Sequence, residues 1–179
     1  MIDRILNTYS LQMEQYLGSF FHQPEGLVEV APIGFQGEEE PAKLVISLLG
    51  MERENVQGMS TAVKMGTGKT YGLSLPPIYM NLHVVIAAIF PPKRYRESLS
   101  ILTQAIAFVQ ANPYFIVQPE GRFTVELMNT SWQDLSNIWS GIGGHYYPSV
   151  VCKIRRLTFS ANEMSRTVSD FRSTDTSVE

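Results

Sequence analysis

A single cysteine, Cys152, stands in a chain of 179 residues. It leaves no internal disulfide and no multi-cysteine metal site to build. Charge is also scarce: 17% of the residues are charged, against roughly a quarter in ordinary soluble domains, which points to surface kept for protein contacts. A basic excess is missing. Fourteen Lys and Arg against 17 Asp and Glu give a net charge of −3 and a pI near 5.6. The chain therefore lacks the basic footprint that neutralising the phosphates of duplex nucleic acid requires, and no nucleic-acid partner is expected. Long apolar runs are absent too. The longest, Val84 to Phe90, meets Pro91, Pro92, Lys93 and Arg94, well short of the roughly 18 residues a spanning helix needs. No direct membrane insertion is expected, and the start Met1-Ile2-Asp3-Arg4, without the apolar region of a secretory signal, predicts an intracellular product. The three histidines, His22, His83 and His145, have no Asp, Glu or Cys at ligand spacing, so neither a metal nor another cofactor is expected.

What the chain does have is apolar material: 44% hydrophobic and 11% aromatic residues, enough for a core in a chain long enough to bury about 70% of its unfolded surface. Ile2, Ile5, Leu6, Tyr9, Met13, Tyr16 and Leu17 recur with the 3.6-residue period and predict an amphipathic first helix ending at Gly18. Leu27 to Ile33 and Leu44 to Leu49 read as strands. Ile78 to Phe90 is apolar on both alternating faces and predicts a central strand. Tyr95 to Ala111 carries a broad helical stripe of Leu99, Leu102, Ile106 and Val109, flanked by Ile101 and Phe108 and ended by Asn112-Pro113. Phe123, Val125 and Leu127 alternate as in a half-buried strand. Ser131 with Asp134 three residues on predicts a capping box for a third helix that buries Trp132, Leu135, Ile138, Trp139 and Ile142 and stops at Gly143-Gly144. Pro148 to Ser160 reads as the last strand, with a register switch that predicts a bulge at Arg155-Arg156. The order predicts an α+β fold, a mainly antiparallel sheet with helices mostly on one face, over a single domain at 1–160. Residues 51–77, rich in Gly, Ser and Thr, read as a projecting loop or hairpin, and residues 161–179 as a polar arm that composition alone would leave unfolded.

Motifs for chemistry are thin. Gly66-Thr67-Gly68-Lys69-Thr70 ends like a phosphate-cradling loop, but the first glycine of that motif would fall at Val63, and Tyr71-Gly72 leads into no helix whose N-terminus would receive a phosphate. A glycine turn in a hairpin is the simpler reading. Cys152 reads as a core thiol, since strand alternation points its neighbours Lys153 and Arg155 to the opposite face. Glu38-Glu39-Glu40 reads as a solvated acidic turn rather than a pair of catalytic carboxylates. Lys93, Arg94 and Arg96 open the second helix, and Lys153, Arg155 and Arg156 sit on the last strand. These two basic clusters are either solvated faces or a docking surface for an acidic partner. In the arm, Met164, Val168 and Phe171 are the apolar groups able to anchor on a neighbour.

Three stretches carry a family resemblance. Leu75-Pro76-Pro77-Ile78-Tyr79-Met80-Asn81-Leu82-His83-Val84-Val85 resembles a Pro-Pro-Val-Tyr-Leu-Asn-Leu strand signature, Asn112-Pro113-Tyr114-Phe115 is similar to the element after its helix, and Ser136 to Trp139 with Gly143-Gly144-His145-Tyr146-Tyr147-Pro148-Ser149-Val150, running on to Arg156, resembles its Leu-Trp, Gly-Gly, Tyr and Pro-Ser-Val block. The family is the cap, or tail terminator, protein of phage-tail-like contractile injection systems, and the resemblance runs over roughly residues 1–160, matching the family's N-terminal domain as a short member. It implies a structural protein, not an enzyme, that ends the inner tube and contractile sheath as a ring, expected to be a hexamer. The implied partners are copies of itself and the sheath and inner-tube proteins. The implied location is the bacterial cytoplasm during assembly and then the distal end of the particle. The alternative is a nucleotide-binding regulatory protein built on Lys69. Calorimetry with ATP and magnesium separates the two: no saturable binding is expected, whereas micromolar binding abolished by Lys69→Ala would promote the alternative.

Overall fold

The computed structural model describes residues 1–21, 26–34, 41–54, 63–65, 71–73 and 77–159. The acidic turn Glu38 to Glu40, the Gly66 to Thr70 loop, His22 and the arm residues Met164, Val168 and Phe171 lie outside them.

The elements in chain order are α1 (Ile2–Phe21), β1 (Val28–Val30), β2 (Lys43–Arg53), β3 (Val63–Met65), β4 (Tyr71–Leu73), β5 (Ile78–Ile89), a 3₁₀ turn (Pro92–Arg94), α2 (Tyr95–Ala111), β6 (Tyr114–Val117), β7 (Gly121–Leu127), α3 (Trp132–Ile142) and β8 (Ser149–Phe159). Six strands form one sheet in the order β1-β2-β5-β8-β7-β6. Its β6–β7 and β7–β8 pairs are antiparallel and its β1–β2 pair is parallel. This is the α+β architecture that the sequence predicts. By its contacts the chain divides into two compact units, Met1–Met51 with Leu82–Arg155, and Glu52–Asn81 with Arg156–Glu179.

In the first unit β5 is third in the sheet and apolar on both faces because both faces are covered. One face takes α1 and α2. Tyr9 of α1 is fully buried, with ring centroids 5.6 Å from Phe108 of α2 and 5.0 Å from Phe115 of β6, and Phe115 in turn lies 5.7 Å from Phe123 of β7. The other face takes α3: Trp139 packs with Val45, Val85, Ala87 and Ile89, joined at the margin by Leu135 and Tyr147. Glu14 ties α1 to the start of β1 by accepting from the backbone N–H groups of Gly26 and Leu27.

Several expectations need correction. The buried stripe of α2 is centred on Ser98, Ile101, Leu102, Ala105, Phe108 and Val109, with Leu99 40% exposed. Ser98, buried in the place expected for Leu99, donates its hydroxyl to the Tyr95 carbonyl within its own helix at 2.7 Å. The capping box of α3 is present: Ser131 Oγ accepts from Asp134 N at 3.1 Å, and Asp134 Oδ2 accepts from Ser131 N at 3.4 Å. Yet only Trp139 of the five expected residues is fully buried, and Trp132 is 85% exposed. Trp132 is the first helical residue, a turn before the Leu135–Trp139 contact, and no described element covers it. Strand β1 is shorter than Leu27 to Ile33, since Pro32 has no N–H for a ladder. Strand β2 runs on to Arg53, its polar end exposed. Strand β6 has no counterpart in the sequence reading.

In the second unit, β3 and β4 pair antiparallel, Met65 opposite Tyr71. The element that follows β3 in the chain is thus a strand, where a phosphate loop would be followed by a helix. Arg156 adopts φ of 78°, and the buried positions of β8 change from Cys152 and Ile154 to Leu157 across it. The left-handed residue absorbs the register switch, as in a bulge.

Replacing Arg156 by Val puts a β-branched residue at positive φ and should cost about 1–2 kcal/mol in urea unfolding, whereas Arg156→Gly should hold or raise stability. Burial pushes the Cys152 thiol up to about 12, and burial followed by the nearby Cys152 also raises the Tyr9 hydroxyl. Both groups keep their protons in the folded state at pH values where the unfolded chain sheds them. The Cys152 contribution is complete below the ordinary thiol value of about 8.5 and is lost as pH rises from there towards the folded value, by up to about 1.4 kcal/mol per pH unit, and that of Tyr9 begins to fall only above the ordinary phenol value of about 10. Denaturant titrations at rising pH should show that decline, and a thiol reagent at neutral pH should label Cys152 only after unfolding.

Candidate assembly interface

Alternation along the strands sorts the β8–β7–β6 half of the sheet into two faces. Cys152, Ile154, Phe123, Val125, Phe115 and Val117 are buried, on the side where Tyr9 and Phe108 pack. Their neighbours point the other way: Lys153 and Arg155 on β8, Arg122, Thr124 and Glu126 on β7, Tyr114 and Ile116 on β6. The register brings them into rows, with Arg155 opposite Thr124 and Thr124 opposite Tyr114, Lys153 opposite Glu126, and Ile116 opposite Arg122. On this face α3 covers Val85, Ala87 and Ile89 of β5, while Arg122, Glu126, Tyr114 and Ile116 remain exposed.

The result is a platform of three cations and one carboxylate beside two large apolar side chains, on a chain whose net charge is −3. Arg155 Nη1 lies 3.7 Å from Glu126 Oε1, and both side chains are about half exposed, so the pair contributes little to stability. The Arg122 guanidinium lies 3.8 Å from the Tyr114 ring centroid and stacks on it. Tyr114 and Ile116 are 50% and 55% exposed.

The expected site residues fall into separate groups. Lys153 and Arg155 are on the platform; Arg156 belongs to the second unit. Lys93, Arg94 and Arg96 are elsewhere. They follow β5 directly, and Ala88 near the end of β5 donates to the Pro148 carbonyl just before β8 at 2.9 Å. The Lys93 group thus follows the end of β5 that bonds to the start of β8, whereas Lys153 and Arg155 lie in the middle of β8. Arg94 is held within its own segment, its Nε donating to Glu97 Oε2 at 2.6 Å and its guanidinium 5.4 Å from the Phe90 ring. Three platform residues, Arg122, Tyr114 and Ile116, escape sequence reading. Tyr114-Phe115-Ile116-Val117 is apolar throughout, and the signal that splits it into two faces is the partner alternation in Arg122 to Glu126.

Among the described residues no group of three His, Cys, Asp or Glu side chains is placed to hold a metal ion. His83 Nδ1 lies 3.2 Å from Met128 Sδ, and the His145 ring 5.6 Å from that of Tyr147. Cys152 is fully buried. No described helix is long and apolar enough to cross a membrane.

The fold is similar to that of two solved assemblies. One is the sheath/tube terminator of an extracellular contractile injection system, PVC, in its extended state, at TM-score 0.61 and 12% identity over 90% of this chain and 57% of that one. The other is the tube-terminating cap of the anti-feeding prophage, at TM-score 0.52 and 12% identity over 86% of this chain and 53% of that one. The chain thus spans a little over half the length of either. No curated protein matches it. The family model of the Pvc16 N-terminal domain aligns with residues 2–168, from the first helix through β8. With nearly the whole chain inside that match, the protein belongs to the Pvc16 N-terminal domain family.

Proposed function

We propose that this chain is a structural cap that ends the inner tube and sheath of a contractile injection system, assembled as a ring of six copies. The observation that carries the reading is the family match over residues 2–168, together with a fold shared with a sheath/tube terminator over 90% of the chain. A terminator must match the rotational symmetry of the structure it closes. A closed ring needs a heterologous interface in which two different patches of one molecule meet.

The platform of Arg122, Lys153 and Arg155 with Tyr114 and Ile116 supplies one such patch. The Lys93, Arg94 and Arg96 cluster, Arg156, and the arm bearing Met164, Val168 and Phe171 are the further contact residues of this reading, towards neighbouring copies or towards sheath and tube. Complementary charge across such contacts sets orientation and association rate more than affinity. The role calls for no cofactor and no catalysis. Assembly takes place in the bacterial cytoplasm, and the finished ring stays at the distal end of the particle.

Deleting this chain from the producing strain should leave particles that still form but whose tubes and sheaths vary widely in length, because nothing stops addition at the distal end. Lengths measured in electron micrographs provide the check. A deletion strain with particles as uniform as the parent would contradict the role. Mass photometry of the isolated chain should show a species of six subunits, and a monomer at every concentration, with and without sheath fragments, would contradict the ring.

A further inference from the structure

Strand β6 closes one end of the six-stranded sheet, and its hydrogen-bonding pattern is fixed. Val125 N donates to the Pro113 carbonyl at 2.9 Å, and Tyr114, Phe115, Ile116 and Val117 stand opposite Thr124, Phe123, Arg122 and Gly121. In an antiparallel ladder hydrogen-bonded pairs alternate with non-bonded ones. Phe115 and Val117 therefore spend their backbone groups on β7, while the N–H and C=O of Tyr114 and Ile116 point off the sheet. Among the described residues no hydrogen bond reaches these groups.

Exposed edges are normally blunted by charge, proline or a covering element. The opposite edge follows that rule: on β1, Glu29 is exposed and bonds Lys43 of β2 at 2.7 Å. Strand β6 does not. Its outward side chains are Tyr114 and Ile116, half exposed and apolar, and the nearest charge is the cation of Arg122 stacked on Tyr114. Such an edge selects an extended partner that supplies backbone hydrogen bonds, apolar side chains and negative charge.

We infer that β6 is a strand-accepting edge and that its occupant is the segment 161–179 of a second copy of this chain. Twenty residues follow Phe159, the last of β8. Beyond Ser160 they carry Glu163, Asp170, Asp175 and Glu179 against Arg166 and Arg172, an acidic excess that complements the Arg122 cation beside the edge. Met164, Val168 and Phe171 provide the apolar contacts, and Thr167-Val168-Ser169 contains the residue types that strands favour. Edge and tail are different parts of one molecule, so the contact is heterologous and repeats around a closed ring. The inference rests on the ring reading above and adds to it the contact that joins neighbours.

Residue-resolved hydrogen exchange on the full chain tests it. In dilute solution the Tyr114 and Ile116 amides should exchange freely while Phe115 and Val117 stay protected. Raising the protein concentration, or adding a synthetic peptide of residues 161–179 at fixed dilution, should slow Tyr114 and Ile116 by about tenfold or more. Ile116→Pro removes an N–H that β6 does not use in its own ladder and should abolish that protection; Ile116→Lys, which keeps the N–H and charges the edge, should weaken it if the proline variant fails to fold. Amides that stay unprotected at all concentrations and with the peptide would overturn the proposal. Protection independent of concentration would overturn it as well, by placing the tail on its own edge. A chain that sediments as a monomer yet shows peptide protection refutes the ring and supports the edge. Rings whose edge amides stay unprotected refute the edge and leave the ring.

Discussion

The buried ring of Tyr9 is the contact on which the arrangement of this chain depends. It sits between Phe108 of α2 and Phe115 of β6, with centroids 5.6 and 5.0 Å away, and so joins two helices to the last strand of the sheet. A tilted aromatic cluster of this size excludes water over a wide area and constrains ring orientation as well as position. Tyr16, 5.3 Å from Phe108, continues it along α1. Because Phe115 and Phe123 must point into this cluster, the strand period of two leaves Tyr114, Ile116 and Arg122 no choice but the other face. The inward packing therefore determines what the outer platform displays.

The division of labour between the helices completes that logic. Helices α1 and α2 pack on one face, and α3, through Trp139, seals Val45, Val85, Ala87 and Ile89 on the other. Central strands are thereby covered twice, as their apolar runs demand, while among the described residues no helix covers the Tyr114, Ile116 and Arg122 side of β7 and β6. That side offers a mixed apolar and cationic surface beside the β6 edge. Such a surface suits assembly with other chains better than enclosure of a small molecule, and the buried Cys152, with its thiol pushed up to about 12, contributes packing rather than reactivity.

Much of this was legible in the residues. The 3.6-residue stripe of α1, the two-faced apolar run of β5, the Ser131–Asp134 box and the register switch at Arg156 each follow from a local rule that the packed structure obeys. The failures have physical causes. Strand β6 is four residues of unbroken apolar character, too short for a period to emerge, and it becomes a strand only because β7 offers a ladder. Trp132 belongs to the apolar stripe of α3, yet a stripe says nothing about where the covering element ends. Ser98 takes the buried place expected of Leu99 in α2, because its hydroxyl can bond within the helix to the Tyr95 carbonyl and so be buried without loss. The candidate interface was half visible: Lys153 and Arg155 stand out as charge on a strand, whereas Arg122, Tyr114 and Ile116 acquire meaning only when three strands are laid side by side.

In the proposed role, copies of this chain close the end of a contractile particle. A cryo-electron reconstruction of the distal end of the parent particle, with this subunit tagged, tests it most directly. The account predicts one closed ring of the chain at that end, with the β8–β7–β6 face and the β6 edge buried against neighbours. Tag density along the tube or at the opposite end, or a ring with that face and edge open to solvent, would contradict it.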